Sequence, residues 1–451
     1  MAKHPVEQSP KLDFSNLDFA KFGEYLSEYS IADKQGRYLH WSQLKWRVPS
    51  KEAEHIWYAV KFCRDQVKKS TGLFDKSGNE FSFCIHDSLE PKLHKIVQLG
   101  AGKVAVAAIA GSQASDNIQQ NYLVSSLLME EAITSAQLEG AATTRADAKK
   151  MLEEELAPST PDERMILNNY MLLKLADKRK QEPLTRDLML EFHRIATNGI
   201  SESENIPGEF RCSNDIYIGN DDNPLFYPPN YEELENRLEE LCAFANENHN
   251  GEDGRKFIPP VIKAIILHFM MGYEHAFRDG NGRTARAIFY WYMLKNGYDI
   301  FEYISISKVI KEHAKDYGMS YLYVQKDYGD LTYFIDFNVN AILNAFDELQ
   351  EYLKVKTKEF YEIVDVLENS KYKSKLTFIQ KDLIKKGVKE PGRLFKVKSV
   401  QNVYDVSENT ARKLLRELEA MNIFLPIKIK RTTYYIAPAD LRSRLNKISK
   451  S

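Results

Sequence analysis

From Asp116 to about residue 366 the chain repeats one pattern. Apolar residues recur at helical spacing through 117–140, 162–181, 186–198, 231–249, 259–274, 283–297, 305–325 and 331–366. Segments with that period bury their apolar stripes only against one another, so the predicted fold class is mainly α. One stretch departs from it. GEFRCSNDIYIGNDDNPLFYPP (208–229) alternates Ile216 and Ile218 with other residues and then breaks at Gly219-Asn-Asp-Asp, which predicts a short β-hairpin.

The 451 residues are 43% hydrophobic and 28% charged, enough apolar material for a packed core and too much for wholesale disorder. No apolar run reaches the roughly 18 residues of a membrane helix, since Val261–Tyr273 is interrupted by Lys263 and His268. The start, MAKHPVEQSPKLDF, lacks a signal-peptide core. Cys63, Cys84, Cys212 and Cys242 show no C-x-x-C spacing. A cytoplasmic protein without a membrane partner is expected. Residues 1–114 hold Trp41, Trp46 and Trp57 at core-like spacing and are expected to form an N-terminal helical region.

Net charge is −2, but it is unevenly spread. Residues 371–451 carry 20 Lys and Arg against 7 Asp and Glu, leaving +13 there and −15 in the rest. Within that tail, SVQNVYDVSENTARKLLRELEAMNI (399–423) predicts a short helix, a turn at 405–408 and a second helix capped by Ser407. Two strands, at 427–429 and 433–436, would follow as a wing. The segment 371–451 resembles a winged helix-turn-helix domain, with DNA as a possible partner.

His275–Arg286 reads HAFRDGNGRTAR. Physically this is a helix ending in a histidine, a glycine-rich loop, and a helix opening at Arg283. Gly280 and Gly282 allow positive φ and free backbone N–H groups for an anion, at which the next helix points its positive end. Arg283 and Arg286 would face the same anion, and Asp279 suits Mg²⁺ beside phosphates. His275 is the side chain here suited to take a proton near neutral pH. Together they describe a triphosphate site with a metal and a base.

The same stretch resembles the H-P-F-x-D/E-G-N-G-R-x-x-R signature of Fic-domain enzymes, which transfer AMP from ATP to protein hydroxyls. Eight fixed positions match, and Ala276 replaces the usual proline. The resemblance spans about 115–350, so a Fic domain at 115–366 is expected. It implies His275 as the base, Asp279 as the Mg²⁺ ligand, and Gly280, Asn281 and Gly282 as the anion hole. Arg283 and Arg286 would neutralise the outer phosphates, and Tyr317 would lie against the nucleoside. Pro207–Arg211 with Ile216, Tyr217, Ile218 and Gly219 is similar to the family's flap, which holds an extended target segment by strand addition. His193 and His268 are expected to be hydrogen-bonded core histidines.

Upstream, Ser135-Ala-Gln-Leu-Glu139-Gly140 is similar to the family's S/T-x-x-x-E-G/N inhibitory motif, on a helix expected at 117–140. In the family this glutamate pairs with the second arginine, here Arg286, and keeps it from the γ-phosphate. The resemblance implies an autoinhibited, Mg²⁺-dependent adenylyltransferase using ATP, modifying a target protein and itself, and forming a homo-oligomer. Two alternatives stay open: a de-AMPylating hydrolase using the same pocket, and a DNA-binding regulator with an idle Fic core.

Overall fold

The structure is a computed structural model describing residues 6–12, 18–100, 129–153, 156–200, 206–220, 223–368, 376–389, 392–429, 432–438, 440–441 and 444–445. The N-terminal part contains α1 (Phe19–Glu28), α2 (Trp41–Leu44), α3 (Ala53–Val67), the hairpin β1 (Lys69–Phe74) and β2 (Glu80–Phe83), and α4 (Glu90–Gly100). Residues 129–138 form α5, followed by α6 (Arg145–Glu153), α7 (Pro161–Lys178) and α8 (Arg186–Thr197). The hairpin β3 (Ile218–Asn220) and β4 (Asn223–Phe226) precedes α9 (Tyr231–Asn246), α10 (Pro260–Glu274) and α11 (Asn281–Lys295). Then come α12 (Ile306–Glu312), α13 (Ala314–Lys326) and α14 (Thr332–Glu368).

The expected helical architecture is present, with α10 and α11 at its centre. Pro260 starts α10 without losing a needed N–H, and nearly every residue of both helices is buried. Helices apolar on all sides belong inside other helices, and here α7, α8, α9 and α14 surround them. The polar intrusions are paired. Lys263 Nζ donates to the Glu247 carbonyl at 2.7 Å and lies 2.9 Å from His249 Nδ1, and burial lowers its pKa to about 8. Among the described residues, no helix is long and apolar enough to cross a membrane.

Several expectations need correction. Residues 1–114 are not wholly helical, because 69–83 form the antiparallel β1–β2 hairpin. Its turn is made by Asp75, whose carboxylate accepts from the N–H groups of Ser77 and Asn79 at 2.8 Å, and by Gly78 at φ +83°. Nor is this hairpin apart from the main core: Phe81 packs edge-on against Phe269 and Tyr273, with centroids 5.5 and 5.2 Å away. The helix expected at 305–325 breaks at His313 into α12 and α13. The expected helix at 117–140 is described only from residue 129, and 117–128 lie outside the described residues.

The tail contains α15 (Phe378–Lys389), β5 (Leu394–Lys396), α16 (Val397–Tyr404), α17 (Glu408–Ala420), β6 (Leu425–Ile429) and β7 (Thr432–Ile436). Its strands form an antiparallel sheet in the order β5-β7-β6. Ser407 caps α17, its hydroxyl accepting from the Thr410 N–H at 3.1 Å. These elements enclose their own apolar core, centred on Leu383, Tyr404, Leu415 and Phe424.

Candidate active site

His275 sits at the C-terminal end of α10 in the left-handed conformation, φ 45° and ψ 56°, with its N–H directed to the Met271 carbonyl. Five residues later Gly280, at φ 78°, opens α11 without a side-chain cap. A helix start lacking a cap leaves its first N–H groups available to an anion. The helix thus opens at Asn281, two residues before the expected Arg283. Gly280 is also required by packing, since a Cβ there would lie 2.7 Å from Thr197 Cγ2.

The loop between is held from three sides. Asn281 accepts from the Phe277 N–H at 3.0 Å and donates to the Phe277 carbonyl at 2.7 Å. Its side chain therefore closes the loop, and only its backbone N–H remains for the expected anion hole. Phe277 is stacked between His193 and Phe210, with centroids 3.8 and 5.3 Å away. Arg211 donates from Nε to the His275 carbonyl at 3.0 Å, and its backbone N–H reaches the Ala276 carbonyl at 3.0 Å. It satisfies carbonyls at the end of α10 and ties the flap segment to the histidine.

Burial, aided by the charge of Arg211, lowers the His275 pKa to about 4. The imidazole is therefore neutral near pH 7 and able to accept a proton. His193 is a hydrogen-bonded core histidine, as expected, but a well-placed one. Its Nδ1 accepts from the Gly208 N–H at 3.0 Å, so Nε2 carries the proton and donates to the Asp279 carbonyl at 2.9 Å. His268 meets the Tyr317 hydroxyl at 3.1 Å in the core.

Arg286 is directed into α5. Its Nε donates to the Ser135 hydroxyl at 3.0 Å, and its Nη2 to the Ser135 carbonyl at 3.2 Å and to Glu139 Oε1 at 2.8 Å. Burial alone would lower the Arg286 pKa, but Glu139 outweighs it and holds the value above the usual one. A Cβ on Gly282 would fall 2.3 Å from Glu139 Oε1, so the carboxylate rests directly on the first turn of α11. At Gly140 there is no close approach: a Cβ there would meet nothing within 4 Å. The position needs glycine because φ is +101° where the helix stops.

Arg283 also differs from expectation. Its side chain is wholly buried, donating to the Asp279 carboxylate and, at 2.7 Å, to the Ala196 carbonyl. It therefore steadies Asp279 instead of facing an open anion site. Tyr317 packs among His268, Tyr321, Phe334 and Phe337. In the flap, Ile218 pairs with Phe226, Ile216 is half-buried, and Tyr217 and Gly219 are exposed. Tyr217, Leu225 and Tyr227 make an exposed apolar strip there.

The sequence reading missed Glu131. This buried carboxylate of α5 accepts from the Ser305 hydroxyl at 2.7 Å, the Ser307 N–H at 3.2 Å and the Ser307 hydroxyl. Desolvation nevertheless raises its pKa. It anchors α5 to the start of α12, and in the run MEEAIT only its place on an apolar helix face hinted at that.

The sequence model of the Fic/DOC family matches residues 183–293, which include the flap and the whole His275–Arg286 loop. The match to a Fic-family domain is confined to that segment. The chain is 28% identical over 167 residues to the Protein adenylyltransferase Fic of Drosophila ananassae, covering 36% of this chain and 31% of that protein. The Drosophila melanogaster protein of the same name is 27% identical over 169 residues, with 36% and 32% covered. The chain thus spans about a third of the length of these curated relatives. A Fic family protein from Desulfovibrio desulfuricans G20 superposes with a TM-score of 0.47 at 15% identity, covering 77% of this chain and 94% of that one. Fic-1 (aa134–508) from C. elegans gives 0.46 at 17%, covering 60% and 73%.

Proposed function

We propose that the protein is an autoinhibited adenylyltransferase that moves AMP from ATP to a Ser, Thr or Tyr hydroxyl of a target protein and of itself. The observation that carries this is the Fic loop itself: a neutral, buried histidine set beside an uncapped helix start whose second arginine is held by Glu139. The hydroxyl oxygen attacks the α-phosphorus, the bond to the β-phosphate bridging oxygen breaks, and pyrophosphate leaves. His275 takes the hydroxyl proton. The N–H groups of Asn281 and Gly282 face the phosphates, and Arg286, once released, takes the outermost one. Positioning and charge neutralisation supply most of the rate in such a step.

The residues fit Mg²⁺. An ion arriving on a triphosphate needs only one or two protein carboxylates, and Asp279 offers one, steadied by Arg283. Among the described residues, no cluster of three or more His, Cys, Asp or Glu forms a separate metal cage. When bound, the ion would neutralise charge on the bridging phosphates. The open edges of the β3–β4 hairpin, with the strip of Tyr217, Leu225 and Tyr227, suit an extended target segment.

A second reading, hydrolytic removal of AMP, is favoured by one observation. Glu139 lies close enough to act on the charge of His275, and a carboxylate there can orient water. The test is incubation with α-labelled ATP and Mg²⁺. Wild type should incorporate label slowly, and folded His275→Ala should incorporate none. Label transfer by His275→Ala at the wild-type rate refutes the assignment. Loss of label from premodified wild type, without net gain, selects the hydrolase.

A further inference from the structure

The C-terminal elements have a core of their own, yet they touch the inhibitory region. Arg393 donates to Glu153 at 3.1 Å, reaching from just before β5 to the end of α6. Helix α16 lies against both α6 and α17. In turn α6 shares a satellite core with α5, in which Ala148, Met151 and Leu152 pack with Met129, Ile133 and Ala136. A continuous chain of contacts therefore runs from α17 through α16, α6 and α5 to Glu139 and Arg286.

The outer end of that chain is basic. Arg412, Lys413 and Arg416 stand on the exposed face of α17, and Lys428 is exposed on β6. Arg412 and Lys413 pair with Glu408 and Glu417 one turn away, contacts that exposed side chains exchange readily. The whole segment from 371 carries +13, whereas the remaining chain carries −15. Docking onto the acidic body leaves the α17 face uncovered. A free helix with cations along one side and a hairpin beside it matches the major groove of B-form DNA, which admits an α-helix. The deep, narrow major groove of duplex RNA does not.

The geometry points to a duplex-DNA contact on the α17 face whose occupation frees the inhibitory helix. Seating α17 in a groove moves α16 against α6, breaks the Arg393–Glu153 pair and loosens α5. This rests on the proposed reading of Glu139 as the inhibitor, but its test needs no catalysis. Lys430 and Arg431, expected on the wing, lie outside the described residues and are not used.

The full chain is titrated into a fluorescein-labelled mixed-sequence DNA duplex while anisotropy is read, with an RNA duplex of the same sequence alongside. Four phosphate-facing cations predict a slope of log K against log salt of about −3.6. The triple variant Arg412→Ala, Lys413→Ala, Arg416→Ala, checked by far-UV circular dichroism, should lose most of that slope. Hydrogen exchange is then followed across 129–153. Duplex DNA should speed exchange there about fivefold or more, the low end of ordinary couplings. Arg393→Ala should show the fast exchange without DNA and no further change with it. Absence of binding at low salt, equal affinity for duplex RNA, or DNA binding with unchanged exchange at 129–153 each overturns the proposal. None of these touches AMP transfer, which fails or stands on the His275 experiment.

Discussion

Replacing Glu139 by glycine tests the proposed inhibitory role of its contact with Arg286 most directly. The side chain of Arg286 is only 3% exposed and that of Glu139 is 25% exposed, so their 2.8 Å bond is largely shielded from water. A hydrogen bond between charged groups of this kind contributes about 1.5–3 kcal/mol. Glu139 lies one residue beyond the helical span 129–138, so glycine adds little backbone cost. Taking about 2 kcal/mol as the hold on Arg286, its loss should raise self-modification about 30-fold. The Ser135 bonds to Arg286 survive the change and keep the released guanidinium from being stranded. Arg286→Ala should not be activated, because the phosphate partner is lost together with the inhibitory one. The double variant should match Arg286→Ala, a non-additivity that assigns the effect to this pair. Adenylyl incorporation is followed by intact-protein mass spectrometry over time for all four proteins. A Glu139→Gly protein no faster than wild type refutes the reasoning, and so does a double variant as fast as Glu139→Gly.

His193 joins the Gly208 N–H to the Asp279 carbonyl and stacks on Phe277, so His193→Ala should shift the loop by a fraction of an ångström. In a Glu139→Gly background it should lower the transfer rate 10- to 100-fold, roughly the cost of small misplacements, while leaving the pH profile set by His275 unchanged. An unaltered rate or a displaced pH profile would rule out this positioning role. Burial also lowers the pKa values of His40 and His268 to about 3 and of His193 to about 4. Below their unfolded value of about 6.5 the unfolded chain binds more protons, so stability is full above that pH and falls on acidification. The loss is about 2 kcal/mol per histidine by about pH 5. Urea midpoints equal at about pH 7 and about pH 5 would refute it.

What was legible in the sequence depended on how locally the structure is specified. The 3.6-residue period located α7 to α11 closely because each buries a face in one core, and Ser407 marked the start of α17 through its own hydroxyl. DKSGN carries the Asx-turn and positive-φ glycine of the β1–β2 hairpin, but the tryptophan spacing before it favours a helical region. Gly282, Glu139 and Arg286, which the sequence motifs single out, lie together in the structure. Nothing in GRTAR reveals that the Arg283 guanidinium turns inward to Asp279 and the Ala196 carbonyl. Tertiary pairing of that sort, like Glu131 with Ser305 and Ser307, joins residues distant in sequence and leaves no local pattern.

The two arginines of the loop differ in a way that bears on control. Both guanidinium groups are buried, and a buried charge without a partner is strongly destabilising. A fold that buries two such arginines therefore needs carboxylates or other acceptors beside them. Asp279 partners Arg283 from four residues away, on the same loop and helix, so the two move together. Glu139 partners Arg286 across 147 residues, from a segment with its own small core around Met129, Ile133 and Met151. The second carboxylate thus belongs to a different element from its arginine, and the first does not. On the proposed reading, regulation falls on Arg286 for that reason: its partner can leave, exchanging a carboxylate for a phosphate without stranding the charge, while the partner of Arg283 cannot leave without the loop.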